Sequence, residues 1–179
     1  MRPPILAIVD DYQPFLDYLA TFLRTRGYEV HPYLSGHGIV AAVRSGVVPD
    51  LVLLDVTMPG LDGLETLRLL KDTAPAVPVI MLSARKQTPT VVDAVRLGAF
   101  DYLVKPDDPE GLADGALEAC VNDALRRLQV VKVLAPRIEP MQPAGRSARL
   151  DPDVAAAFPT DVRVNDALRR LMPQGEHLE

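Results

Sequence analysis

Five times in the first 131 residues a short aliphatic run is followed by a longer segment with helical spacing, and no other feature restricts the fold as much. The runs lie at 5–9, 28–33, 51–54, 79–82 and 102–104. They are almost wholly apolar instead of alternating apolar with polar, as strands buried on both faces require. The segment 14–26 sets Phe15, Leu16, Leu19, Phe22 and Leu23 on one stripe and ends at Gly27, a residue suited to closing a helix. Ser35 is placed to cap a helix reaching about residue 45, and Asp62 to cap one over 63–71. A fourth helical segment, 89–97, is followed by Gly98. Asp108-Pro109 then offers an N-cap and a first-turn proline for the last and longest helix, to about 131.

Strands that alternate with single helices across short connections pair in parallel, with helices on both faces of the sheet. The expected fold class is therefore α/β: a doubly wound, five-stranded parallel sheet in the order 2-1-3-4-5, flavodoxin-like and flanked by five helices. In such sheets ligands bind outside the carboxyl ends of the strands.

Beyond about residue 134 the pattern breaks. Pro136, Pro140, Pro143, Pro152 and Pro159, with Gly145 and Ser147, interrupt every period. The expected organisation is a folded domain over 1–131, a Pro-rich linker over 132–160, and a short C-terminal helix and tail over 161–179 with no independent second domain. Within that tail, residues 164–171 read VNDALRRL and repeat residues 121–128 letter for letter. Two copies do not make a solenoid, which needs at least three. The repeat reads either as a local duplication of helix vocabulary or as two presentations of one Val/Leu/Leu stripe to the same surface.

The net charge of −5 and the absence of a basic run speak against nucleic-acid binding, and after residue 131 seven Lys and Arg face seven Asp and Glu. Cys120 is the single cysteine, so no internal disulfide forms. The first residues, MRPPILAIVDD, are too short an apolar stretch for a signal peptide or a membrane span, which makes a cytoplasmic location the expectation. His31, His37 and His177 are too scattered for a metal site.

Three carboxylates fall where the sheet order brings strand ends together. Asp10 and Asp11 end the first strand, and Asp55 ends the third, its neighbour in the order 2-1-3-4-5. Charges this close repel, so one must take a proton or a cation must enter. Hard oxygen donors at an open crevice suit Mg²⁺. The fourth strand ends in Ser83 and the fifth in Lys105, adding a hydroxyl and an ammonium on the same rim. That set meets the needs of phosphoryl transfer, which depends mostly on positioning and charge neutralisation. Asp55, alone on the middle strand, is the best placed nucleophile, with Asp10 and Asp11 as metal ligands.

The motifs Ile8-Val9-Asp10-Asp11, Leu53-Leu54-Asp55, Met58-Pro59-Gly60-Leu61-Asp62-Gly63, Leu82-Ser83-Ala84, Gly98-Ala99-Phe100-Asp101-Tyr102 and Lys105-Pro106 together resemble the receiver domain of two-component response regulators, over residues 5 to about 130. The resemblance implies a phosphorylation-dependent signalling switch and not an enzyme. Asp55 is then the phosphoacceptor and also a carboxylate of the metal site, with a histidine kinase or phosphotransfer protein as donor. Asp11 is the principal ligand of Mg²⁺ (or Mn²⁺), Asp10 acts partly through water, and the Thr57 backbone carbonyl completes the site. Ser83 binds a phosphoryl oxygen, and Lys105 bridges Asp55 and the phosphoryl group. Tyr102 is the switch aromatic coupled to Ser83, on a signalling face made by helix 4, strand 5 and helix 5. A cis Lys105–Pro106 bond is also implied, and a homodimer through helix 5 or the tail is compatible. The downstream protein partner is not legible. Three other readings stay open: the receiver part of a longer transcriptional activator, an Asp-nucleophile phosphatase, and a flavin carrier. Thr57 stands where the phosphatase needs a general acid, and Asp10-Asp11 stand where the flavin carrier needs a phosphate loop.

Overall fold

The computed structural model describes residues 2–84, 88–105 and 115–134. In chain order its elements are β1 (Ile5–Val9), α1 (Gln13–Arg24), β2 (Glu29–Tyr33), α2 (Gly36–Arg44), β3 (Leu51–Asp55), α3 (Gly63–Thr73), β4 (Val79–Ser83), α4 (Thr88–Arg96), β5 (Asp101–Val104) and α5 (Ala116–Leu134). The five strands form one sheet in the order β2-β1-β3-β4-β5, every pair parallel, as the alternation predicts.

Residues along each central strand alternate between two cores. Leu6, Ile8, Leu51, Leu53, Ile80 and Leu82 pack with Leu16, Leu19 and Leu23 of α1 and with Leu117, Val121 and Ala124 of α5. On the opposite face Ala7, Val9, Val52, Leu54, Val79 and Met81 meet Ile39 and Val43 of α2, Leu67 and Leu70 of α3, and Val91 and Ala94 of α4. Leu6, Ile8, Leu51, Leu53, Leu54 and Ile80 are fully buried, and each such side chain contributes about 1.5–3 kcal/mol relative to exposure.

The helix boundaries follow from local chemistry. The Ser35 hydroxyl accepts from the Gly38 N–H at 3.3 Å, and the Asp62 carboxylate from the Glu65 N–H at 2.8 Å, where Glu65 reaches back to complete a capping box. After α1 the Tyr28 N–H bonds the Leu23 carbonyl and the Gly27 N–H bonds the Arg24 carbonyl, with Gly27 at φ +86°. This paired closure needs a left-handed residue, which glycine supplies without strain. The regular part of α1 ends at Arg24, two residues before the expected limit, because the closing turn takes up 25–27.

At the other end of the chain α5 continues to Leu134, beyond the expected 131. Its expected start at Asp108-Pro109 lies outside the described residues, as do the Lys105–Pro106 bond, the linker 135–160 and the tail 161–179.

Candidate functional site

Parallel pairing sets the rim of the sheet. Val9 of β1 lies beside Leu54 of β3, so Asp10 leaves its strand next to Asp55. Asp55 lies beside Leu82 of β4, and Ser83 beside Val104 of β5, so Ser83 and Lys105 emerge on the same rim. A backbone bond from the Lys105 N–H to the Ser83 carbonyl, 2.7 Å, extends the pairing one residue past β5.

Asp10 and Asp55 are 2% and 4% exposed, whereas Asp11 faces solvent. One carboxylate oxygen from each of Asp10, Asp11 and Asp55 lies within 4.8 Å of the others. Lys105 Nζ donates to Asp10 Oδ2 at 2.5 Å and to Asp55 Oδ1 at 2.9 Å. The ammonium therefore offsets part of the repulsion between the two buried acids. The other oxygen of Asp10, Oδ1, accepts from the Tyr12 N–H at 3.0 Å. Lys105 Nζ also sits 4.7 Å from the centre of the Phe15 ring, on a face that attracts cations.

Burial raises the Asp55 carboxyl above the usual range, and the nearby Asp10 charge adds to this; the Lys105 hydrogen bond, its charge and the Thr57 backbone N–H pull the other way. Three hard oxygen donors, one of them exposed, fit a small divalent cation that keeps part of its water shell.

The candidate site residues Asp10, Asp11, Asp55, Thr57, Ser83, Tyr102 and Lys105 lie at the ends of β1, β3, β4 and β5, on the loop after β3 or within β5. Ser83 is buried at the end of β4, 5% exposed. Thr57 follows β3 on the exposed loop and supplies its N–H to Asp55. Tyr102 is 8% exposed and belongs to the core that also holds Met81, Val91 and Ala94. His31 pairs with Glu29 at 2.9 Å on the edge strand, away from the acids.

The contributions of Tyr12, Phe15 and Gly63 were not legible in the sequence. Phe15 reads there as a member of the α1 stripe, and nothing local marks its ring as the wall beside Lys105. A Cβ on Gly63 would run into the Asp55 carbonyl oxygen and come within 2.7 Å of Val56 Cα. Glycine at the first position of α3 thus lets the helix start directly against the strand that carries Asp55.

The five-stranded parallel fold with acids on its rim is that of a receiver domain, and the sequence comparison agrees. The response regulator receiver domain model matches residues 6–116, and the chain belongs to that family. It is 32% identical to the transcriptional regulatory protein ZraR of Salmonella typhimurium, over 89% of this chain and 36% of that protein. It is 38% identical to the DNA-binding response regulator MtrA of Mycolicibacterium paratuberculosis, over 71% of this chain and 53% of that protein. The chain thus spans about a third of the ZraR length (36%) and about half of MtrA (53%).

Among solved structures, NtrX from Brucella abortus aligns with a TM-score of 0.66 and 29% identity, covering 81% of this chain and 31% of that one. A CheY-like response regulator receiver domain protein from Methanospirillum hungatei JF-1 aligns with a TM-score of 0.59 and 26% identity, covering 67% and 95%.

Proposed function

We propose that this receiver domain is a switch thrown by phosphorylation of Asp55, with a phosphohistidine of a sensor kinase or phosphotransfer protein as donor. The observation that carries the reading is the pairing of buried Asp55 with Lys105 at 2.9 Å inside a triad of carboxylates. In the transfer an Asp55 oxygen forms a bond to phosphorus as the phosphorus–nitrogen bond to imidazole breaks, and the departing imidazole takes a proton. Asp10, Asp11 and the Thr57 carbonyl are the groups to hold Mg²⁺ (or Mn²⁺), which supplies charge neutralisation at the phosphoryl oxygens when bound. Lys105 lies within reach of both Asp55 and an incoming phosphoryl oxygen, and the Ser83 hydroxyl is the second donor to that group. Signalling then runs through Ser83 and Tyr102 to a protein partner at the face of α4, β5 and α5, by a shift between pre-existing states.

The test is labelling with acetyl phosphate or beryllofluoride in the presence of Mg²⁺. One adduct per chain is expected on the wild type and none on Asp55→Asn. An undiminished adduct on that variant overturns the assignment.

A second reading concerns the output. The relatives are named as transcriptional regulators, and this chain matches about a third of ZraR. That supports a receiver which in a longer protein governs a transcriptional activator, with DNA contact made elsewhere. The Asp-nucleophile phosphatase is less well supported, since Thr57 offers no general acid; release of more than one equivalent of phosphate from a small ester would revive it. Among the described residues no helix is long and apolar enough to cross a membrane, which is compatible with the cytoplasmic location that a kinase-fed switch requires.

A further inference from the structure

The repeated octapeptide acquires a meaning once its first copy is seen in place. In α5, Val121 and Ala124 are fully buried against the face of the sheet shared with α1, and Leu128 is 8% exposed. The same stretch makes polar contacts that fix its position. Asn122 accepts a hydrogen bond from the Tyr28 hydroxyl at 3.0 Å, Arg127 pairs with Asp123 at 3.2 Å, and the Arg127 guanidinium lies 5.8 Å from the centre of the Phe100 ring. One turn earlier Glu118 pairs with Arg26 at 2.9 Å. Every one of these determinants recurs forty-three residues later: Val164, Asn165, Asp166, Ala167, Arg170 and Leu171, with Asp161 in the place of Glu118.

We infer that residues 164–171 are an alternative occupant of the place on the sheet, beside α1, that residues 121–128 fill, within the same chain. The second copy lies outside the described residues, so the argument rests on its sequence and on the contacts of the first. Residues 135–163 separate the end of α5 from the second copy, a length of chain whose maximum reach, at about 3.3 Å per residue, exceeds the roughly 30 Å width of a small domain. A tethered copy at that reach competes at an effective concentration on the order of millimolar, which favours the same chain over a neighbour in dilute solution.

The match is incomplete in a way that sets the balance. Buried Leu117 and Cys120 correspond to Thr160 and Arg163. Thr160 gives up apolar contact, and Arg163 brings a long cation to the place where Cys120 Sγ lies 3.2 Å from Asp101 Oδ2. The first copy therefore holds the place at rest, and the second takes it when α5 is drawn off. The tail in this picture is a spare for the helix that closes one face of the sheet.

The experiment uses the full chain with Cys120→Ser, Arg26→Cys and Asp161→Cys, treated with a short bismaleimide at low protein concentration. A cross-link within one chain is expected, and adding Val164→Asp should cut its yield at least five-fold. A yield that Val164→Asp leaves unchanged overturns the inference, and cross-links that join two chains overturn occupancy within the same chain. Should the cysteine variants not fold, hydrogen exchange of the otherwise wild-type chain decides. Val164→Asp should slow exchange of the 117–128 amides at least two-fold by removing the competitor, and unchanged rates overturn the inference.

Discussion

Lys105 Nζ stands 2.9 Å from Asp55 Oδ1 and 2.5 Å from Asp10 Oδ2, so one ammonium serves two buried carboxylates from different strands. Two nearly inaccessible acids with a single full cation between them remain short of positive charge. The Asp55 carboxyl is pushed up first by its burial, and the Asp10 charge adds to that push. Each expectation below follows from this arrangement or from the packing that holds it.

Replacing Lys105 by Met removes both the hydrogen bond and the charge that hold the Asp55 carboxyl down, leaving burial and Asp10 opposed only by the Thr57 backbone N–H. The Asp55 carboxyl should titrate at higher pH in Lys105→Met than in the wild type, read from its side-chain carbon resonance by NMR. An unshifted or lower titration would show that Lys105 does not set the charge state of the site.

Asp55→Asn should be more stable than the wild type at neutral pH. The sign follows from linkage: a carboxyl whose pKa is raised on folding stabilises the folded state only when protonated, below its unfolded value, and that contribution is lost as pH rises through the folded pKa. At pH 7, well above the unfolded value, the raised pKa of Asp55 is a net penalty that the amide avoids. Urea unfolding should show a higher midpoint for the variant at pH 7 and a shrinking difference as the solution is acidified through the raised Asp55 pKa.

Mg²⁺ should raise the melting temperature, because a ligand that binds only the folded state stabilises it by about 2.7 kcal/mol at a hundred-fold excess over Kd. Asp11 is exposed and offers one of the three clustered oxygens, so Asp11→Asn should fold normally yet lose most of that response. Differential scanning calorimetry with and without Mg²⁺ checks both points.

Gly63→Ala should destabilise the domain by about 1–3 kcal/mol, the usual range for forcing an extra methyl into a filled space. The obstruction is backbone, the Asp55 carbonyl and Val56, so no side chain can turn aside to relieve it. Denaturant unfolding measures the loss. Mg²⁺ response should weaken as well, since the displaced backbone carries Asp55.

Strand and helix boundaries were legible because their causes are local. Ser35, Asp62 and Gly27 act within four or five residues of themselves, and the structure finds each in the expected capping role. α5 runs to Leu134, three residues past the expected 131, and Pro136 follows two residues later, where a proline commonly stands after a helix. The candidate site was legible in its residue types, because Asp10, Asp55, Ser83 and Lys105 each follow directly on an apolar run whose order in the sheet is a matter of topology.

What the chain sequence determined by itself is the alternation of buried strands and amphipathic helices, and with it the parallel sheet whose rim gathers the acids. Those follow from periodicity and capping, which depend on neighbours along the chain. Only the tertiary structure decided that Asp10 is buried while the adjacent Asp11 is exposed, and that Lys105 spans both Asp10 and Asp55. It likewise decided that Phe15 lies beside that ammonium and that Gly63 touches the backbone behind Asp55. These are contacts between residues far apart in sequence, set by strand register and helix packing, and a carboxylate's charge state depends on the dielectric and partners that such contacts create.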